Sequence, residues 1–246
     1  MPGIGPTGCP RATNDVTPQP EFIRLQHSSP SAGDVSPVGT AMGTRGAITL
    51  HVITKNLQSI RSDVKMHDFI SELDNLEFDV LFITETWRTQ TRECMETSRG
   101  HKLFLSGGDG HCGVGICVSK NCSRNMSDIV FNAYSPRICS LTFRLFGKSF
   151  FMCSCYFPTT WDTDDLVNEM YSLLDTLLET ENIGNKIALF GGDFNASIGN
   201  RQACDDVVHI GQCGMGQRNE RGSTLVHWVL EHGLQIFNRF LQLNTA

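Results

Sequence analysis

The chain has no apolar run near the ~20 residues that span a bilayer, so a membrane role is not expected. Its first residues, Met1 to Pro20, carry Pro, Gly and Thr without an apolar stretch. That argues against a secretory leader and for an intracellular protein, nuclear or cytoplasmic. No Cys-x-x-Cys pair occurs among the 10 cysteines. Cys112, Cys117 and Cys122 are evenly spaced but have only His111 beside them, and Cys153 and Cys155 alternate onto one face of an apolar segment. Structural thiols are expected there rather than zinc ligands. An excess of basic charge is missing too. Net charge is −6, and residues 1–46 balance three basic against three acidic side chains, so residues 47–246 carry all of it. Bulk charge does not draw such a chain to nucleic acid; any contact needs a local cluster.

What is present describes a globular protein: 40% hydrophobic and 19% charged residues. Residues 1–46 hold most of the prolines with few periodic apolar positions, and read as a disordered tail. Ala47–Ile53 is a strand candidate rich in β-branched residues. Asp63 can start a helix with Phe69, Ile70, Leu73 and Leu76 on one face. Asp79–Thr84 and Gly113–Val118 read as buried strands, and Cys139–Leu145 alternates as a half-buried one. Gly147-Lys148 then turns the chain into Ser149–Tyr156, making a hairpin. Residues 164–180 carry a leucine-rich helical stripe, Ile187–Phe190 is a short buried strand, and Leu225–Glu231 forms a helix stopped by Gly233. Hairpins outnumber βαβ units, which predicts an α/β sandwich of mixed, largely antiparallel sheets with outer helices.

Four of these strands end in polar residues: Lys55-Asn56, Thr84-Glu85-Thr86-Trp87, Tyr156, and Gly191-Gly192-Asp193-Phe194-Asn195. Strand ends of one sheet gather at a common rim, where ligand sites form. Two carboxylates, Glu85 and Asp193, and two amides, Asn56 and Asn195, make an oxygen-rich set that prefers Mg²⁺ or Mn²⁺ to zinc. Strand alternation predicts that Asp193 and Asn195 face the same way.

Asn56-Leu57-Gln58-Ser59-Ile60-Arg61, Phe82-Ile83-Thr84-Glu85-Thr86-Trp87 and Gly191-Gly192-Asp193-Phe194-Asn195 occur in this order. Together they resemble motifs of the endonuclease/exonuclease/phosphatase superfamily. The pattern is most similar to the apurinic-endonuclease-like domain of non-LTR retrotransposon proteins and their craniofacial-development-protein-like relatives. Asn219-Glu220-Arg221-Gly222 and the helix after it add to that likeness. The resemblance implies a four-layered α/β sandwich over residues 47–246 and Mg²⁺- or Mn²⁺-dependent phosphodiester hydrolysis, with DNA as the partner of a nicking endonuclease. It implies Glu85 as metal ligand with Asn56 supporting the metal or phosphate. It further implies Asp193 aligning the attacking water, Asn195 holding a phosphate oxygen, and Tyr156 contacting the scissile phosphate.

Two departures stand out. Phe157-Pro158-Thr159 replaces the Pro-Asn of the apurinic branch, which speaks against abasic-site specificity. The family's final Ser-Asp-His segment has no counterpart before Asn244-Thr245-Ala246, so the domain is expected to be C-terminally incomplete and its activity reduced. Rival readings are a small-substrate phosphatase of the same superfamily and a non-catalytic fragment or interaction module. His227 and His232 are expected to be surface or packing residues. Gly108–Gly113 matches G-x-G-x-x-G but runs into a strand, which predicts a hairpin turn and no dinucleotide site. Arg88, Arg92 and Arg99 are expected in a solvated loop, with contact to DNA backbone as the alternative, and Trp87 in packing beneath the metal site, with stacking on a base as the alternative.

Overall fold

In a computed structural model of the chain, the described residues are 21–25, 50–108, 110–211 and 216–236. Along the chain they form β1 (Glu21–Leu25), β2 (Val52–Asn56), α1 (Asp63–Leu73), β3 (Val80–Thr84), β4 (Glu93–Glu96) and β5 (Lys102–Ser106). There follow β6 (Val114–Val118), the single turn α2 (Lys120–Ser123), β7 (Met126–Ser135), β8 (Ile138–Leu145) and β9 (Lys148–Tyr156). The last described elements are α3 (Asp164–Thr180), β10 (Ile187–Asp193), α4 (Glu220–Glu231) and β11 (Leu234–Ile236). One sheet has the order β2-β3-β6-β5-β4, the other β11-β1-β10-β9-β8-β7. Among the described strands, β2/β3 and β9/β10 pair in parallel and the other ladders are antiparallel. The mixed, largely antiparallel sandwich expected from the sequence is therefore what forms.

Three apolar clusters define four layers. Between the sheets, Phe82, Val114, Ile116 and Val118 meet Leu141, Phe143, Phe150 and Met152. Outside the first sheet, Met66, Phe69 and Leu73 of α1 cover Leu81, Ile83 and Leu103. Outside the second, Val167, Met170 and Leu174 of α3 and Leu225, Trp228 and Val229 of α4 cover Phe151, Cys153 and Phe190. Alternation explains the split: along β9, Phe150 and Met152 point inward while Phe151, Cys153 and Cys155 point to the helices. Cys153 and Cys155 thus share a face, their sulfurs 3.7 Å apart. Burial pushes the Cys122 thiol up to about 12 and Cys117 well above its usual value, as expected of structural thiols.

The helices start where their caps dictate. Ser62 Oγ accepts from Lys65 N at the head of α1, and Asn219 Oδ1 accepts from Gly222 N at 2.7 Å at the head of α4. Gly233, with φ of +63°, turns the chain after α4. Among the described residues no helix is long and apolar enough to cross a membrane.

Several boundaries differ from expectation. The first strand runs from Val52 to Asn56, because pairing with Val80–Thr84 carries it through polar Thr54, Lys55 and Asn56. Likewise β10 continues through Gly191, Gly192 and Asp193, opposite Ser154, Cys155 and Tyr156. Within the segment read as a tail, Glu21–Leu25 forms a strand between β10 and β11. The rest of residues 1–46 lies outside the described residues, as does the expected C-terminal incompleteness, which concerns positions past Ile236. Residues 107–113 join antiparallel β5 and β6, so the glycine motif is the hairpin loop the sequence suggested.

Candidate active site at the strand rim

Parallel pairing places the C-terminal ends of β2 and β3 together, and those of β9 and β10 together. The two ends meet because the sheets approach closely at one point. A Cβ on Gly191 would lie 2.1 Å from the Phe82 ring, so only glycine permits that contact. Gly192 has φ of +125°, and a Cβ there would lie 2.0 Å from the Cys155 carbonyl oxygen. Nearby, the buried Ser154 hydroxyl donates to the Ile83 carbonyl at 3.2 Å, a direct bond between the sheets.

Glu85 follows β3 directly, in a left-handed conformation (φ +53°). Its Oε1 accepts from Asn56 Nδ2 at 2.7 Å and from the Tyr156 hydroxyl at 3.1 Å. Three side chains expected at the site are thus joined across both sheets. Asn56 Oδ1 in turn accepts from Gln58 N at 3.0 Å, so the amide is fixed at both ends. The backbone locks this corner: Ser59 N donates to Glu85 O and Ile60 N to Thr86 O. Strained backbone concentrates here. Of eight non-glycine residues with positive φ among the described residues, Gln58, Ser59, Glu85, Trp87 and Asn195 lie at this rim. Each costs about 1–3 kcal/mol and persists only where its surroundings hold it.

Asp193 closes β10 beside Tyr156. Its Oδ1 accepts from Asn195 N at 3.0 Å, and Asn195 Nδ2 donates to the Phe157 carbonyl at 2.7 Å. The alternation argument fails at Asn195: its φ of +47° takes it out of extended geometry, and a short turn around Asp193 brings it to the rim instead. An amide nitrogen carries two hydrogens, so Asn195 retains one N–H for a ligand. Burial raises the Asp193 carboxyl above its ordinary range; the Glu85 charge raises it further, while the Asn195 N–H opposes both. Burial, and then Glu85, also raise the Tyr156 phenol, which keeps it a donor.

Both carboxylates lack a cationic partner among the described residues. No three His, Cys, Asp or Glu side chains gather into a cage there. Mg²⁺ needs none, since it keeps several waters and takes one or two carboxylates. Glu85 uses Oε1 for its two neutral donors, and Oε2 takes no hydrogen bond among the described residues. That donor set fits a hard divalent cation, with Glu85 as its carboxylate ligand and Asn56 holding that carboxylate in place.

Other expected residues have different duties. Arg88 is not in a solvated loop: it grips buried Glu93 with two bonds of 2.9 and 2.7 Å. Arg92 lies over the Phe131 ring at 5.4 Å, and Arg99 pairs with Asp74 at 3.0 Å. Trp87 is half-buried and stacks on His111 with ring centroids 4.3 Å apart. His227 is exposed, and His232 pairs with Asp175 at 3.0 Å beside Trp228, so both are surface or packing residues. Asn219, besides capping α4, accepts from Ser197 N at 3.1 Å and so ties that helix to the segment after Asn195.

One rim residue had no sequence signal. Arg137, in the β7–β8 turn, lies 5.2 Å over the Tyr156 ring and donates to the Tyr156 carbonyl at 3.3 Å. A turn arginine is unremarkable in sequence; only the β8–β9 register brings it to Tyr156.

No family model matches the chain, and no curated protein matches it in sequence. Solved structures do. The endonuclease domain of TRAS1, a telomere-specific non-LTR retrotransposon, is 18% identical with a TM-score of 0.46, over 75% of this chain and 71% of that one. An AP endonuclease from Archaeoglobus fulgidus gives 18% and 0.46 over 74% and 70%. The AP endonuclease LMAP from Leishmania major gives 13% and 0.47 over 75% and 66%. At these TM-scores the likeness carries no argument about function.

Proposed function

We propose that this chain is a divalent-cation-dependent phosphodiesterase of the endonuclease/exonuclease/phosphatase superfamily, acting on DNA as an endonuclease of the retrotransposon type. The supporting observation is the pair of acids, Glu85 and Asp193, set across one rim with neutral donors only. Such a pair is electrostatically unfavourable until a cation joins it. Glu85, oriented by Asn56 and Tyr156, would hold Mg²⁺ or Mn²⁺, which neutralises charge growing on a phosphate oxygen. Asp193, its proton affinity raised by burial, orients the attacking water and takes up its proton. The free N–H of Asn195 donates to a phosphate oxygen, and the Tyr156 hydroxyl, whose single proton faces Glu85 in the unliganded chain, turns to another once a cation takes up that carboxylate; donors aimed where charge develops lower the barrier.

Incubating the chain with supercoiled plasmid and Mg²⁺ tests this. Nicking that chelation and Glu85→Gln both abolish supports the reading. Cleavage of soluble phosphate esters with the plasmid left intact would replace the endonuclease with a small-substrate phosphatase. Absence of both activities, with no divalent cation bound, would make the chain a non-catalytic module.

A further inference from the structure

Trp161 is 96% exposed, the extreme among the large apolar side chains described. A free indole at the end of a floppy loop would mean little, but this one stands on a built turn. Asp162 Oδ2 accepts from Thr159 N at 2.7 Å and from the Thr159 hydroxyl at 2.9 Å, and Asp162 N donates to Thr159 O at 3.0 Å. The Asp162 carbonyl accepts from Arg221 Nη2 at 3.4 Å. Four bonds therefore fix the turn whose tip presents Trp161 to solvent.

The turn also has a definite place. It begins two residues after Phe157, whose N–H donates to the Asp193 carbonyl and whose carbonyl takes the Asn195 amide. Arg221, which pins its far side, belongs to the first turn of α4, the helix that Asn219 ties to Ser197. Two guanidinium groups act on its Asp162. Arg137 lies over Tyr156, and its charge, after the Thr159 hydrogen bonds, helps hold the Asp162 carboxyl below its ordinary range. Arg221 is held by Asp164 at 3.0 Å, and its Nη1 is buried with no hydrogen-bond partner among the described residues.

An exposed aromatic face on a fixed turn, a few residues beyond Tyr156, suits one ligand chemistry above others. A nucleobase offers a flat π-face whatever its identity, and the phosphates of its strand reach the donors at Tyr156 and Asn195. A paired base inside a duplex cannot offer that face to a side chain; an unpaired one can. We propose that Trp161 is a stacking platform for an unpaired nucleobase of the strand whose backbone passes Tyr156. This rests on the phosphodiesterase reading, and it narrows the substrate to DNA with a single-stranded, frayed or flanking unpaired segment at the cleavage site.

The test is equilibrium binding by the full chain in chelator, where no hydrolysis occurs. The probes are a short fluorescent oligo-dT and a fully paired hairpin carrying the same label. Trp161→Ala is expected to weaken oligo-dT binding about ten-fold, Trp161→Phe much less, and neither to change hairpin binding appreciably. An equal loss on both probes, or no loss on oligo-dT, overturns the proposal. So does a dimer that forms without nucleic acid and dissociates in Trp161→Ala, because the indole would then be a self-contact. Plasmid nicking on the same preparations separates the two readings. Wild-type nicking with Trp161-independent binding removes the platform alone; Trp161-dependent binding without any nicking removes the hydrolase alone.

Discussion

Glu93 and Asp205 each face a bidentate arginine, whereas Glu85 and Asp193 face only neutral donors. Arg88 grips Glu93, and Arg218 grips Asp205 through Nη1 at 2.8 Å and Nη2 at 2.5 Å, with both of those side chains nearly buried. At the rim, Asn56, Tyr156 and the Asn195 backbone N–H supply dipoles but no positive charge. The outcomes for protonation are opposite. Arg218 holds the Asp205 carboxyl below its usual range, while burial and the Glu85 charge push Asp193 above it. The arginine-paired acids are the less exposed of the two kinds, so shielding from water alone does not explain why Asp193 is raised and Asp205 lowered. The missing cation does. A paired acid is complete without a ligand; an unpaired pair of acids is stable only at a cost that an external cation removes.

Neutralising each kind of acid should therefore have opposite consequences. Asp193→Asn is expected to cut nicking about 10³-fold. Its melting temperature should stay level or rise, because the native state no longer buries an uncompensated charge. A fall in stability with activity retained would make Asp193 another structural acid and erase the contrast. Asp205→Asn should do the reverse, leaving a buried guanidinium unpaired and costing about 3 kcal/mol in urea unfolding. The pH dependence follows from the sign of the shift. Asp205 is depressed in the folded state, so its contribution is present above the unfolded carboxylate value of about 3.9 and disappears as pH falls through the folded one. Stability of Asp205→Asn should accordingly vary less than wild type on the acid side; parallel acid limbs would mean that the Arg218 pair contributes nothing.

Which of these acids stand at the rim was legible in part from sequence. Glu85 and Asp193 could be found because each ends an apolar run, and strand ends of a common sheet share a rim. Asn56 and Tyr156 followed by the same logic. Their partners were not legible. Glu93 and Asp205 end no apolar run, and nothing local says that Arg88 and Arg218 reach them. Arg137 and Trp161 were invisible for the same reason, since the first is placed by the β8–β9 register and the second by a turn held from α4. Among the elements, the long periodic ones were readable, α1, α3, β8 and β9 above all. Of the short strands, β3 and β6 could be read as unbroken apolar runs, but β1, β4, β5 and β11 mix in polar residues, so pairing with a neighbour decides them. Polar Thr54-Lys55-Asn56 joined β2 for that reason. The ten-residue β7 was not readable either, because its register is broken by irregularities.

Tyr156 offers the finest cut into the comparison, because it is one of the two side chains that stand in for a cation at Glu85. Tyr156→Phe keeps the ring that packs between the sheets beneath Arg137 and removes only the hydroxyl. If Asn56 and Tyr156 together fix the carboxylate for a metal, loss of one hydrogen bond to a charged acceptor should cost about 1.5 kcal/mol of that orientation. Nicking should drop roughly ten-fold at limiting Mg²⁺. Raising Mg²⁺ should recover part of that loss, the remainder belonging to the hydroxyl's contact with the phosphate. Recovery in full would confine Tyr156 to positioning Glu85, and no recovery would confine it to the phosphate. An unchanged rate at every Mg²⁺ concentration would show that Glu85 needs no neutral partner from β9, and the contrast with the arginine-paired acids would then rest on Asp193 alone.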